Sequence, residues 1–304
     1  MELDEGTPSS SSACPPRLCI FVSTAAGNVA RRSACRKSWF RYLTSEDSPL
    51  DARYRGDVRL VFVVSIESQS TELADEQAVH NDLVFVDAPE GYGHLWRKAL
   101  AFMAWLEARS CGGDYDYVMH ADDDSFVRLD VLVPLMAHWP RRRLYWGYVW
   151  DGTGNRVTAP IRNPANKSYM PEEQYPLDYY PPFASGCGFV LSRDLAQALL
   201  AHPLPDYRLL DPPFGIHLCG NDMCVLPDGP VAPVHDERVR PYRPIPIFRP
   251  DTLVQHYLTP EEMRPFYQQA LASAAAGAPQ PAPSEQGTPA QLYDTLVALG
   301  LLRR

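Results

Sequence analysis

Apolar residues along this chain gather in short runs separated by longer amphipathic stretches. The run Leu-Cys-Ile-Phe-Val inside residues 18–24 reads as a strand buried on both faces. Similar runs predict strands over 58–64 and 82–86, with further strands over 115–120, 144–148 and 183–191. Between them the spacing changes. Leu95, Ala99, Phe102, Met103 and Leu106 recur at helical intervals, so residues 93–109 are expected as a helix, ended by Gly112-Gly113. Helices are also expected over 28–43, 129–137 and 194–201. Thr259-Pro260-Glu261-Glu262 combines a cap residue, a first-turn proline and a Glu three residues on, which starts another. Strand and helix alternate through the first half, so the fold class expected is α/β with a mostly parallel central sheet flanked by helices.

Composition narrows this picture. The chain has 304 residues, 45% hydrophobic and 21% charged, enough for one large core or two small ones. A net charge of −9 argues against a nucleic-acid partner, which would need a basic surface. The 30 prolines, about twice the usual share, concentrate at 160–182 and 203–265 and predict irregular loops there. Seven cysteines without a CxxC pair argue against a zinc site, while Cys219 and Cys224 are close enough in sequence to bridge. No run of about 18 apolar residues appears, so no transmembrane helix or signal peptide is expected in this sequence. Residues 1–16 are polar and Ser-rich and are expected as a disordered leader, 17–271 as one domain and 272–287 as an Ala/Pro-rich linker. Residues 288–304 are expected as a short amphipathic helix, with Leu292, Leu296 and Leu299 on a face that packs on the domain or joins copies of the chain.

The densest chemistry lies at Asp122, Asp123 and Asp124, directly after the apolar strand Tyr117-Val118-Met119. Three adjacent carboxylates repel one another and are best tolerated around a hard cation such as Mg²⁺ or Mn²⁺. A strand that ends in them puts that cation at the carboxyl edge of the sheet, where open α/β sheets hold ligands. The competing interpretation is a solvated acidic turn, and the apolar Phe126-Val127 that follows argues against it.

Four stretches resemble the inverting β-1,3-glycosyltransferases of family 31. They are Arg31-Arg32-Ser33-Ala34-Cys35-Arg36-Lys37-Ser38-Trp39; Tyr92-Gly93-His94-Leu95-Trp96-Arg97-Lys98; the Asp triplet with Ser125-Phe126-Val127; and Tyr180-Pro181-Pro182-Phe183 through Gly186-Cys187-Gly188-Phe189-Val190-Leu191-Ser192, with Tyr145-Trp146-Gly147 before it. The resemblance implies a GT-A nucleotide-sugar-binding fold, a UDP-sugar donor and a divalent cofactor, Mn²⁺ or Mg²⁺. It implies Asp124 and His256 as metal ligands with Asp122 beside them, and Asp122 and Asp123 near the ribose or donor sugar. Arg32, Arg36, Lys98, Gly186 and Gly188 complete the implied donor site. The implied reaction moves Gal, GalNAc or GlcNAc to a hydroxyl of a glycan acceptor on protein or lipid, and the implied compartment is the Golgi.

Inversion by one in-line displacement requires a carboxylate to take the acceptor's proton. The family's E-D-V-x-x-G segment supplies it, and this chain departs from that pattern. Asp222, in Gly220-Asn221-Asp222-Met223-Cys224-Val225, is one candidate; Asp211, in Leu210-Asp211-Pro212-Pro213-Phe214-Gly215, is the other. Asp222 is preferred, because two consecutive prolines are poor beginnings for the helix expected after this Asp. The altered segment also keeps a second function open, a catalytically weak relative that binds UDP or glycan. Asn166-Lys167-Ser168 is a glycosylation sequon in a predicted loop.

Overall fold

A computed structural model describes residues 17–109, 115–204, 211–220 and 223–277. The expected leader, Gly112-Gly113, Asp222 and the C-terminal helix lie outside the described residues.

In chain order β1 (Leu18–Ser23) leads to α1 (Val29–Arg36), the single turns α2 (Arg41–Thr44) and α3 (Ala52–Arg55), and β2 (Val58–Ser65). Next come α4 (Thr71–His80), β3 (Leu83–Val86), α5 (Leu95–Arg109) and β4 (Tyr117–Asp122). The short β5 (Phe126–Val127) and α6 (Leu129–Met136) precede β6 (Tyr145–Trp150), β7 (Phe183–Ser192), α7 (Arg193–Ala201) and α8 (Asp211–Cys219). The two-residue strands β8 (Val234–His235), β9 (Val239–Arg240) and β10 (Val254–Gln255) end at α9 (Pro260–Ala275).

The main sheet has the order β3-β2-β1-β4-β7-β6-β8, and every strand but β7 runs the same way. This is the α/β, mostly parallel architecture expected. Strand alternation separates the two cores. Leu18, Ile20 and Val22 of β1 face the side covered by α1, α6 and α9, while Cys19 and Phe21 face α5, α7 and α8. A second sheet, β5-β10-β9, clips the end of the domain to the segment after β4: Val254 pairs with Val127 and Gln255 with Phe126.

Two elements differ from the sequence reading. The helix expected over 28–43 stops at Arg36, and the chain turns through Trp39 and Phe40 before α2. Both rings are buried in the core, and Trp39 packs edge-on against Phe40 at 4.7 Å, so burying them replaces helical continuity. The second difference is α8, which begins at Asp211 with Pro212 and Pro213 in its first turn. Early helical positions have no intrahelical partner for their N–H, so the missing donors cost nothing there. The argument that disfavoured Asp211 therefore fails. At the other end, the capping box at Thr259 forms as expected, but α9 continues to Ala275, into residues assigned to the linker. Cys219 and Cys224 both remain thiols.

Candidate active site

The parallel strands deliver their C-terminal ends to one edge of the sheet. In register, Ser23 at the end of β1 lies beside Asp122 at the end of β4. The antiparallel β7 brings its beginning to the same edge, with Gly188 opposite Ala121. Beneath them, buried His120 joins three strands: Nδ1 lies 2.5 Å from the Gly186 carbonyl and Nε2 2.9 Å from Ser23 Oγ. A carbonyl only accepts, so Nδ1 carries the proton and the Ser23 hydroxyl donates to Nε2. Burial lowers this imidazole to about 4, which keeps it neutral near pH 7.

Above this floor opens a cavity of about 660 Å³, lined by all three carboxylates of the triplet, by Arg31 and Lys98, and by His256. That volume suits a ligand of nucleotide-sugar size. The long connection 151–182 covers one side, contributing Val157, Ile161 and Lys167 to the lining. It meets the opposite rim where Lys167 Nζ sits 5.0 Å over the Tyr92 ring. Met170, Tyr175 and Tyr180 of this connection pack with Phe183 and with Ile216 of α8 in a separate small core.

The three aspartates take different parts. Asp123 is buried and accepts three hydrogen bonds, from Thr24 Oγ1 at 2.7 Å, Asn28 Nδ2 at 2.8 Å and Arg31 Nη1 at 2.8 Å. These bonds fix the start of α1 to the end of β4. Asp122 and Asp124 turn the other way, toward His256, whose Nε2 lies 3.4 Å from Asp122 Oδ2 and 3.0 Å from Asp124 Oδ1. Ligand atoms of these three residues all lie within 4.8 Å of one another. Two carboxylates and an imidazole make a mixed oxygen–nitrogen set that fits a divalent ion. Burial raises the Asp124 carboxyl, but the hydrogen bond from His256 and the charges of His256 and Arg31 outweigh it and hold the group below the ordinary range. For His256 burial works against the charge, and Asp124 with Asp122 overcomes it and raises the imidazole.

His256 reaches the triplet because its strand is stapled there. Beyond the β5–β10 pairing, Arg128 N donates to the Leu253 carbonyl at 2.8 Å and Leu258 N to the Asp124 carbonyl at 2.9 Å. Gly188 supports the same staple: a Cβ there would meet Val254 Cγ1 at 2.9 Å, so the absence of a side chain lets β10 lie against β7. Gly188 is thus a packing residue, and only Gly186 of the expected pair lines the cavity.

The basic residues also divide. Lys98 lies in the cavity wall, its Nζ donating to the Thr24 carbonyl at 3.1 Å and to Glu90 Oε2 at 3.0 Å. Arg32 and Arg36 do not line the cavity. Arg32 is fully buried, bonding to Glu76 at 2.7 Å and to the carbonyls of Ala25 and Ala26. Arg36 bonds to Glu76 at 2.7 Å and Asp82 at 2.8 Å. Arg31, which opens the first motif but was not among the residues implied for the donor site, is the arginine at the site, spanning Asp123 at 2.8 Å and Asp124 at 3.0 Å. The signal was in the spacing. Asn28, Arg31 and Cys35 share one helical face, and all three contact Asp123, whereas Arg32 and Arg36 share the adjacent one.

Asp211 stands at the beginning of α8, and the next residue, Pro212, lines the cavity. Gly215, four residues on, lies so close to the start of β7 that a Cβ would sit 2.5 Å from Phe183 Cβ and 2.8 Å from the Pro182 carbonyl. Gly215 is therefore what lets α8 lie against the start of β7.

The sequence profile of the galactosyltransferase family matches residues 30–204. The chain is 41% identical over 202 residues to β-1,3-galactosyltransferase 6 of Mus musculus, covering 64% of this chain and 58% of that protein. It is 30% identical over 219 residues to lactosylceramide 1,3-N-acetyl-β-D-glucosaminyltransferase B of Xenopus laevis, covering 69% and 55%. Among solved structures, the mannosyltransferase PcManGT of Pyrobaculum calidifontis in complex with GDP-Man and Mn²⁺ overlays 95% of this chain and 81% of its own at 18% identity, with a TM-score of 0.39. An overlay that loose says nothing about this site. The chain spans somewhat over half the length of the curated relatives it matches. By the match over 30–204 and by these relatives, the chain belongs to the galactosyltransferase family, the β-1,3-glycosyltransferases of family 31.

Proposed function

We propose that this chain transfers a hexose (Gal, GalNAc or GlcNAc) from a UDP-sugar to a sugar hydroxyl of a glycan acceptor on protein or lipid, with inversion, forming a β-1,3 linkage. The observation that carries this is the meeting of Asp122, Asp124 and His256 on the floor of a nucleotide-sized cavity at the carboxyl edge of the sheet, in a chain of this family. Asp124, His256 and Asp122 would hold Mn²⁺, or Mg²⁺ in its place. When bound, the ion supplies positive charge to the donor's diphosphate as it leaves.

The chain's own groups do the rest. Arg31 neutralises Asp123 and Asp124 and keeps the second of these aimed at His256. Lys98, tied to Glu90 and to the end of β1, presents a fixed cation to the donor side. On the acceptor side we assign the base to Asp211, at the start of α8 next to cavity-lining Pro212; Asp222 is the alternative. As the acceptor hydroxyl attacks the anomeric carbon opposite the departing diphosphate, its proton passes to that carboxylate, and a single displacement inverts the centre. Family membership points to the Golgi as the compartment; among the described residues no helix is long and apolar enough to cross a membrane.

The direct test is turnover of UDP-Gal, UDP-GalNAc and UDP-GlcNAc with Mn²⁺ and a panel of glycan acceptors. Turnover of one donor that chelation abolishes is expected. An Asp124→Ala variant with full activity would sink the proposal. Metal-dependent UDP binding with no transfer to any acceptor would favour the weak or inactive relative instead.

A further inference from the structure

Among the described residues, three that are not glycine have a positive φ: Asn81, Arg143 and Tyr257. Asn81 closes α4, a usual place for left-handed backbone. Arg143 lies in the turn that leads into β6. Tyr257, at φ +60°, is a bulky aromatic one residue after the metal-ligand candidate His256, and a left-handed conformation is costly for such a residue unless its surroundings enforce it.

The enforcing contacts are specific. Arg243 Nη1 donates to the Tyr257 carbonyl, and the same guanidinium is anchored on Glu262 at the first turn of α9, 3.0 Å away. On the other side, Leu258 N donates to the Asp124 carbonyl at 2.9 Å. The consequence is geometric. In extended backbone, consecutive side chains point to opposite faces. The left-handed turn brings residues 256 and 257 to the same side, where their rings stack with centroids 3.8 Å apart and planes 22° from parallel. Tyr257 also lines the cavity.

We propose that Tyr257 is a positioning residue for the candidate cation site: its ring, held by the left-handed backbone, fixes the plane of the His256 imidazole so that Nε2 faces Asp122 and Asp124. This rests on the metal reading above. A hydrogen bond from His256 to the Pro241 carbonyl restrains the imidazole at one atom, and stacking restrains its tilt. Groups that orient a metal ligand typically change metal affinity about 10- to 100-fold when removed.

The test is Mn²⁺ affinity measured calorimetrically in the presence of UDP, with thermal stability measured in parallel. Tyr257→Phe keeps the ring and is expected to bind within about threefold of the parent. Tyr257→Gly is expected to lose about 10-fold or more in affinity. The same variant is expected to melt no lower than the parent, because glycine favours this backbone. Lost affinity without lost stability separates positioning from a structural role. A Tyr257→Gly protein that binds Mn²⁺ as tightly as the parent overturns the proposal. Asp124→Asn serves as the control: if the parent binds no better than this variant, the metal reading itself falls, and the role of Tyr257 with it.

Discussion

His256 sets its Nε2 3.0 Å from Oδ1 of Asp124, a contact between the end of β4 and the strand that precedes the last described helix. Two groups acting on one ion should not contribute independently. Asp124→Asn and His256→Ala are each expected to weaken Mn²⁺ binding by about 100-fold or more, beyond the effect of losing a supporting residue. The double variant should be little worse than either single one. Strictly additive losses in a calorimetric double-mutant cycle would show that the two residues serve different ends.

Arg31 and Arg32 are neighbours with opposite expected phenotypes. Arg32 is fully buried among Glu76 and the carbonyls of Ala25 and Ala26, so removing it leaves both carbonyls without their arginine donor and Glu76 with Arg36 alone. Arg32→Ala should therefore lower stability by about 3 kcal/mol or more. Arg31 is partly exposed, and Asp123 keeps Thr24 and Asn28 when it is gone. Arg31→Ala should cost under about 1 kcal/mol of stability yet raise the Mn²⁺ concentration needed for turnover. Urea unfolding and metal titration of the two variants decide this, and reversed phenotypes would restore the sequence-based assignment of Arg32 to the donor.

That reversal marks the limit of what the sequence carried. The triplet stood out from its place after an apolar strand, whereas His256 and Lys98 entered only through the resemblance to the family; all of them line the same cavity. Arg31 was not legible, because a run of arginines leaves the rotational phase of the helix open, and Asn28 settles that phase only once Asp123 is known to face it. α4 escaped because Leu73 is its only fully buried side chain, too little for a periodic apolar signal. α8 escaped because Pro212-Pro213 was taken as a breaker when it marks a helix start. The lining from 151–182 has no periodicity, since irregular backbone holds its place through the side chains of Tyr175, Tyr180 and Phe183.

The Glu76 carboxylate gives the fold an acid limb. Its hydrogen bond from Arg32 is the largest influence and, with Arg36, lowers it to about 2 from its ordinary 4.5. The folded value lies below the unfolded one, so this stabilisation is complete above about pH 4.5 and is lost as pH falls toward 2. Glu262 and Asp151, also lowered to about 2, act in the same window. Glu76→Gln should therefore flatten the fall of the urea midpoint between about pH 5 and 2 without abolishing it. An unchanged slope would mean that Glu76 stays paired in the unfolded chain.

The acceptor-side base, proposed as Asp211, is decided by turnover. Asp211 begins α8, whose Gly215 is locked against Phe183, so the helix start is fixed relative to β7 and the cavity. A carboxylate that takes a proton in the transition state typically contributes about 10² to 10⁴ in rate. Asp211→Asn should lower kcat within that range while leaving Mn²⁺ and UDP affinity near the parent's, because the donor half of the site is built from β4, α1 and β10. Asp222→Asn should stay within a few-fold on every measure. Gly215→Ala should reproduce part of the Asp211→Asn defect, since a Cβ at 2.5 Å from Phe183 must displace the helix. Stopped-time assays with saturating donor, paired with UDP calorimetry, separate these cases. A large kcat loss in Asp222→Asn with normal turnover in Asp211→Asn would move the base to the other aspartate.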